Sequence, residues 1–315
     1  MSLEDVIASI IPKRVKPVEE VSEENRGTWK SSYSATDEEA HRNVRYGIKS
    51  QLNQMGIVFM TQMKLFSKMK WTYLMLFVAL LIPVIVQGFP ELIQIVDLMF
   101  GLSGSYSTTY IAEMLMFLPL FLGLITSLMC GTQIPQEFKD RTAYMNMALP
   151  MSRVSFYFGK YLAGLVMCIG IFILAYGSAV ATSMTRYDSI FTDLILESLL
   201  LTIVGVMAYS ATAFCVGCFM KKGSSIVPFI LMSFVLPGVI VMAASQWDMW
   251  WLTQLPFFLG EAALGILGAP ISASAGMITI SRMDLTSIWP MVIIGIMWTV
   301  IMLMIGLIRT EGREM

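Results

Sequence analysis

The polar side chains with the clearest pattern lie in the segment GTQIPQEFKDRTAYMNMALPMSRVSFYFGKYLAG, residues 131–164. Read as a helix that begins at Gln136 and stops at Pro150, the segment separates an apolar face from charged ones. The apolar face contains Phe138, Thr142, Met145 and Leu149, and the other faces contain Glu137, Lys139, Asp140 and Arg141. Such charges suit ion pairs with a partner surface. The alternative is a solvated loop whose charges only enforce membrane topology.

Residues for catalysis are scarce in this sequence. His41 is the only histidine, which excludes a multi-histidine metal site and argues against a Ser/His triad. The phosphate-binding pattern Gly-x-x-x-x-Gly-Lys-Ser/Thr is missing, because Tyr161 follows Gly159 and Lys160 and the upstream glycine is lacking. We therefore expect no ATP hydrolysis by this chain itself, and no catalytic residue, metal or cofactor.

Four cysteines and 27 methionines offer a further source of ligands. The cysteines fall inside apolar stretches, so we expect them to pack as small apolar residues rather than form disulfides or bind metal. They are Cys130, Cys168, Cys215 and Cys218. Methionine is unbranched and fills gaps between helices, which explains its frequency without a metal site.

Long uncharged stretches surround the charged segment. A bilayer core of about 30 Å requires roughly 20 mainly apolar residues, and a charge at its centre costs on the order of 3 kcal/mol. The chain is 56% hydrophobic and only 14% charged, with a mean hydropathy of +0.70. We predict an all-α integral membrane protein with six transmembrane helices. The uncharged runs are residues 71–90, 114–135, 161–185, 198–220, 223–247 and 285–308.

The positive charges predict the orientation of these six spans. Eleven lysines and arginines would lie on the side of both termini, against Arg186 and Arg282 on the other side. Positive residues near span ends favour the cytoplasm, so both termini are expected there, in a multi-pass protein of the plasma membrane. The eleven are Lys64, Lys68, Lys70, Lys139, Arg141, Arg153, Lys160, Lys221, Lys222, Arg309 and Arg313.

The stretch before the first span has helical amphipathicity. Its apolar residues recur at spacings of three and four, and its lysines lie on other faces, which indicates a helix lying in the inner membrane interface. The apolar residues are Ile48, Leu52, Met55, Phe59, Met63 and Phe66. Packing on a soluble domain is the alternative, but this chain contains no such domain.

These features divide the chain into four parts. We expect a mobile polar cytoplasmic tail over 1–45, an interfacial helix over 46–70, a six-span domain over 71–309 and a short cytoplasmic tail over 310–315. Residues 262–281 are also uncharged, but they are rich in Gly, Ala, Ser and Pro, and a seventh crossing would move Arg309 to the outside. We expect short helices at the outer surface there instead, between the fifth and sixth spans.

The charged segment resembles the type-2 ABC exporter permease family. Members of that family have a Glu, a Thr about five residues later, a Leu-x-x-Pro-x-Ser-Arg run and a Lys that opens the third span. The matching residues here are Glu137, Thr142, Pro150, Ser152, Arg153 and Lys160. Met147 stands at the family's Leu position, Arg141 at its usual Gly, and Gln62 where the interfacial helix often has Glu. The resemblance extends over about 270 residues.

The resemblance implies a coupling helix that docks on a separate ATP-binding cassette ATPase subunit. The residues it assigns to coupling are Glu137, Phe138, Lys139, Asp140, Arg141, Thr142, Pro150, Arg153 and Lys160. It also implies a second permease copy or homologue as partner. Arg153 and Lys160 are expected to anchor to headgroups and helix ends. An ion- or proton-coupled secondary transporter is the alternative, and nothing in the sequence suggests a nucleic-acid partner.

Overall fold

A computed structural model describes residues 48–88, 107–115, 117–139, 152–185, 192–220, 225–247, 254–267, 273–275, 278–280 and 288–311. The chain divides into two units, residues 1–50 and 51–315. Only the start of the first helix is described in the first unit, so the predicted tails over 1–45 and beyond residue 311 lie outside the described residues.

The first two helices are joined by a sharp bend. Helix α1 spans Ile48–Phe66 and helix α2 spans Lys70–Gly88, and their axes differ by 73°. The amphipathic pattern predicted a helix over 46–70, and α1 lies within that range but ends at Phe66, where the bend begins. The apolar α2 begins after three further residues, at Lys70.

The second span is continuous past a proline. Helix α3 spans Ser107–Met114, α4 spans Leu118–Thr126, a π-helical turn spans Ser127–Gly131, and α5 spans Gln133–Lys139. A proline ring clashes with the carbonyl four residues earlier, which is Gly131 for Pro135. The wider turn accommodates this clash, so the helix continues past Pro135 to Lys139.

Two long helices and a second broken one follow. Helix α6 spans Arg153–Met184 and α7 spans Thr192–Phe219. Helix α8 spans Ile226–Ile230, a π-helical turn spans Leu231–Val235 and α9 spans Leu236–Trp247. Here too a proline, Pro237, lies four residues after a member of the wide turn, Ser233.

Where the structure describes it, the region predicted to lie at the outer surface contains short elements. A 3₁₀ turn spans Pro256–Phe258 and α10 spans Leu259–Ile266. Strands β1 (Ala273–Ala275) and β2 (Ile278–Ile280) form an antiparallel pair, with Ser274 opposite Thr279. In the described parts of 262–281, α10 ends at Ile266 and the next described elements are strands, not a helix long enough to cross a bilayer. The last helix, α11, spans Trp289–Glu311.

Helix α7 lies at the centre of the helices. It packs against α11, α6, α10, α4, α5 and the first π-helical turn, while α2 packs against the outer side of α6. Hydroxyl groups link these helices, as is common where water cannot supply partners. Tyr176 of α6 bonds Ser198 Oγ (2.9 Å) and Thr202 Oγ1 (2.7 Å) of α7, and Ser198 Oγ donates to Ala263 O of α10 (2.6 Å). Trp298 Nε1 of α11 donates to Thr212 Oγ1 (3.0 Å).

Five described helical segments are long and apolar enough to cross a bilayer. The bent pair α1 and α2 counts as a sixth if it is taken as one broken span. The chain is thus an all-α, multi-pass membrane protein. The five segments are Leu118–Glu137, Arg153–Met184, Asp193–Phe219, Ile226–Ala243 and Trp289–Thr310.

Candidate functional site

The predicted coupling residues lie within and on both sides of residues 140–151, which are outside the described residues. Asp140, Arg141, Thr142 and Pro150 lie outside the described residues, as does most of the helix predicted to follow Gln136. Phe138 and Lys139 belong to α5, whose backbone alone is described there. Glu137, Arg153 and Lys160 are described with their side chains. The helix itself begins at Gln133, three residues earlier than predicted.

Close backbone contacts hold α5 at its position. A Cβ on Gly217 of α7 would lie 2.5 Å from the carbonyl oxygen of Gly131, so the second span and α7 meet where neither has a side chain. A Cβ on Gly164 of α6 would lie 2.6 Å from Cys130 Sγ and would also clash with Gln133 Nε2. The Gln133 amide donates to Met129 O, one turn back. The segment before Glu137 is therefore packed tightly against α6 and α7.

Glu137 and Lys160 form an ion pair between α5 and α6. Lys160 Nζ donates to Glu137 Oε1, and the Lys160 side chain is only 4% exposed whereas that of Glu137 is 17% exposed. The Phe156 ring, one turn earlier on α6, lies 4.9 Å from Nζ, which adds a cation–π contact. Two residues that are 23 positions apart in sequence thus connect the end of the second span to the third.

Burial makes this pair sensitive to the loss of either member. A charge removed from water costs several kcal/mol, and the opposite charge offsets that cost only while both are present. Removing one partner of a buried pair typically destabilises a protein by about 3–5 kcal/mol. The pair is therefore a tertiary contact between α5 and α6 that depends on both of its members.

Ser152 caps the start of α6 and connects it to α1. Its Oγ accepts the backbone N–H of Ser155 (3.1 Å), which satisfies one of the unpaired donors of the first turn. The backbone N–H of Ser152 donates to Gln54 Oε1 (3.1 Å), and Ser155 Oγ donates to Gln51 O (3.1 Å). Both glutamines belong to α1. Helix α1 is thus hydrogen-bonded to the same end of α6 that carries the ion pair.

A glycine on α6 allows α1 to approach this end closely. A Cβ on Gly159 would lie 2.9 Å from Met55 O and 2.9 Å from Val58 Cβ, both on α1. Gly159 immediately precedes Lys160, so one turn of α6 contacts α1 on one side and α5 on another. We call the assembly of α5, the first two turns of α6 and the part of α1 around Gln54 the α5–α6 corner.

The corner corrects two sequence interpretations. Lys160 was expected to reach headgroups, but it is buried because the carboxylate of Glu137 replaces water as its partner. Ser152 was identified only as a motif residue, whereas it is the N-cap of α6. Arg153, at the start of α6, is exposed, and its expected contact with headgroups stays a prediction. The two glutamines of α1 were missed, since nothing in a run of polar residues on an amphipathic helix indicates a tertiary hydrogen bond.

The cysteines and the possible metal ligands are the other groups that could do chemistry. All four cysteines are buried, which agrees with a packing role. Within the described ranges no group of three or more His, Cys, Asp or Glu side chains could hold a metal ion. The α5–α6 corner is therefore the candidate site that combines charge, burial and tertiary contact. No protein-family model matches this chain, and no curated protein is significantly similar to it in sequence.

Proposed function

We propose that this chain is the membrane-spanning permease subunit of an ABC exporter. It would work beside a separate ATP-binding cassette ATPase subunit and a second permease copy or homologue, in the plasma membrane with both termini cytoplasmic. The chain itself is not an enzyme in this proposal. ATP binding and hydrolysis take place in the partner, whose movement is transmitted to the spans.

The arrangement of helices supports the six-span form of this proposal. Helix α2 is an apolar helix of 19 residues, and taking it as the first span would give six together with the five segments that are long enough to cross. The 73° bend before α2 suits a helix α1 that lies in the inner interface. The short α10 between the fifth and sixth spans suits an outer helix that does not cross.

The Glu137–Lys160 ion pair is the observation that carries the coupling proposal. Both residues belong to the motif on which the family resemblance depends, and they are in direct contact across two helices. A short helix that receives a push from an ATPase requires a rigid link to a span. A buried pair next to glycine-mediated backbone contacts provides such a link, and α1 is connected to the same end of α6.

The test uses single variants and a charge exchange at this pair. Glu137→Gln and Lys160→Met each leave one buried partner, so we expect weaker recovery of the ATPase subunits with the tagged chain from native membranes, or loss of substrate-stimulated ATP hydrolysis. The exchange Glu137→Lys with Lys160→Glu should restore part of this activity if the two residues act on each other. Elution profile and thermal stability identify variants that fail to fold.

Glu38→Lys, in the polar tail, is the matched control for charge change and is expected to have little effect. Wild-type ATPase association and transport in both single variants would contradict the coupling role. Restoration by the exchange would assign Glu137 to a link within the chain. Failure of a well-folded exchange variant would assign it to contact with the ATPase.

Ion- or proton-coupled transport is the second candidate function, and one observation favours it. Lys160 is buried within a candidate span, roughly 10 Å along α6 from Arg153. Ionisable residues within spans commonly mark ion or proton pathways. Transport into vesicles separates the two functions. An exporter depends on ATP and tolerates ionophores, whereas a secondary transporter stops when the gradient is abolished.

A further inference from the structure

A second polar feature lies at the junction of α1 and α2, away from the ion pair. Three lysines occur within seven residues there: Lys64 in the last turn of α1, Lys68 in the bend and Lys70 at the start of α2. All three side chains are exposed, and in the described residues none lies within 4 Å of a carboxylate. The sequence from residue 48 to 88 contains no Asp or Glu. Within the part of the chain that the structure describes, the junction therefore carries a net positive charge.

Local hydrogen bonds fix the shape of this junction. The backbone N–H of Ser67 donates to Met63 O (3.0 Å), and that of Met69 donates to Phe66 O (3.1 Å). Tyr73 on α2 donates its hydroxyl back across the bend to Ser67 O (2.7 Å). Phe66 is buried beneath the bend, being only 2% exposed. The lysines are thus attached to a defined turn rather than to a free linker.

The surroundings of the lysines indicate the kind of ligand. Trp71 and Tyr73, in the first turn of α2, are 62% and 59% exposed. Aromatic side chains of this kind concentrate at the headgroup level of membranes, and lysines next to them attract anionic lipid. A soluble protein partner would meet the same lysines only by displacing headgroups from the start of an apolar helix. Charge and depth together therefore favour a lipid.

We propose that the α1–α2 junction is a binding site for the headgroup of an anionic phospholipid. Lys64, Lys68 and Lys70 contact its phosphate, while Trp71 and Tyr73 lie at the same level of the interface. The lipid would fix the angle at which α1 meets the first span. This proposal depends on the interfacial position of α1, but it does not depend on coupling to an ATPase.

The experiment compares lipid binding to the full chain and to two charge-matched triple variants. One carries Lys64→Gln, Lys68→Gln and Lys70→Gln, and the control carries Lys221→Gln, Lys222→Gln and Arg313→Gln, which remove three positive charges elsewhere on the same predicted side. Protein extracted in mild detergent is titrated with phosphatidylglycerol, phosphatidylcholine or inorganic phosphate. Bound lipid is counted by native mass spectrometry, and thermal stability is measured in parallel.

We expect phosphatidylglycerol to bind the wild type and the control, and to raise their melting temperature, with phosphatidylcholine much weaker. Each lysine near an anionic surface contributes roughly fivefold in affinity, so the junction variant should bind about a hundredfold more weakly. Equal binding to the junction variant and the wild type would overturn the proposal, as would equal loss in the control. A stabilisation by inorganic phosphate alone that matches the lipid would also overturn it. If the chain binds the lipid as expected but no ATPase subunit is recovered with it from native membranes, only the proposed coupling is contradicted.

Discussion

Helix α7 and the broken helix formed by α8, its π-helical turn and α9 are both candidate membrane spans with long uncharged runs, yet they differ in how much of each is buried inside the protein. Of the apolar window in α7, 72% is buried inside the protein, against 22% of the window in the broken helix. Hydropathy reports that a segment avoids water. It does not report whether the replacement for water is lipid or another helix, because both are equally apolar.

The difference between the two spans lies in side-chain size. The C-terminal half of α7 has the sequence AYSATAFCVGC, residues 208–218, and its small residues let neighbouring backbones approach closely. The broken helix instead presents large aliphatic and aromatic side chains outward. Its exposed residues include Ile226, Val227, Ile230, Phe234, Val235, Val239 and Met242. Small residues in a span therefore indicate a central position better than hydropathy does.

The largest expected difference comes from truncating an apolar side chain in each span. Leu201 of α7 is fully buried, so Leu201→Ala should lower the free energy of unfolding by about 2–5 kcal/mol through lost packing. Val239 of α9 is 61% exposed, so Val239→Ala should change the free energy of unfolding by less than about 0.5 kcal/mol. Denaturation in a single defined micelle measures both.

Leu200, the neighbour of Leu201, is 43% exposed, so Leu200→Ala is the control for the loss of the same atoms on the same helix. It should resemble the Val239 variant. A Val239→Ala loss as large as that of Leu201→Ala would break the comparison, because it would show that another subunit covers the outward face of the broken helix.

Adding one methyl group sharpens the comparison at a glycine in each span. Gly217→Ala places a Cβ 2.5 Å from a backbone oxygen of the second span, and backbone gives way less readily than a side chain. We expect a loss of about 1–3 kcal/mol. Gly238→Ala in α9 meets nothing within 4 Å and should be neutral or stabilise the helix by up to about 1 kcal/mol. The melting temperatures of the two variants, measured in the same lipid, test this prediction. Equal changes in melting temperature would contradict the close approach of Gly217 to Gly131.

The smallest effect concerns Glu261, in the helix α10 that packs against α7. Its Oε2 is buried and has no hydrogen-bond partner among the described residues, and burial raises the pKa of this carboxyl from 4.5 to about 7. The folded state therefore binds the proton more tightly than the unfolded chain does. The stability that the protonated carboxyl contributes is fully present below about pH 4.5 and is lost as the pH rises through about 7.

The Glu261→Gln variant keeps the shape of the side chain and removes its titratable carboxyl group. At pH 8 the variant should be more stable than the wild type, on the order of 1 kcal/mol after allowance for the partly exposed side chain, and the two should converge near pH 4.5. Thermal unfolding across this range is the measurement. If the melting temperatures of the two proteins change with pH in parallel, the Glu261 carboxylate must have a partner at high pH.

The candidate site was only partly predictable from the sequence. The motif residues Glu137 and Lys160 were expected to contact an ATPase surface, lipid headgroups or helix ends, whereas in the structure they contact each other. Residues 23 positions apart carry no local signal of contact. The amphipathic pattern predicted a helix over 46–70, which contains α1, yet the hydrogen bonds that Gln51 O and Gln54 Oε1 accept from the start of α6 depend on how two distant helices pack.

The sequence alone determined that this protein is a bundle of membrane helices, because a charge near the centre of an apolar run of about 20 residues is costly and so charges tend to mark the ends of such runs. It also predicted short outer helices between the fifth and sixth spans, through Gly, Pro and small polar residues. The tertiary structure decided which span is central, how π-helical turns accommodate two prolines, and which charged side chains form an ion pair. These properties depend on close contact between segments distant in sequence, and helices in lipid choose their neighbours by fit and hydrogen bonding rather than by hydropathy.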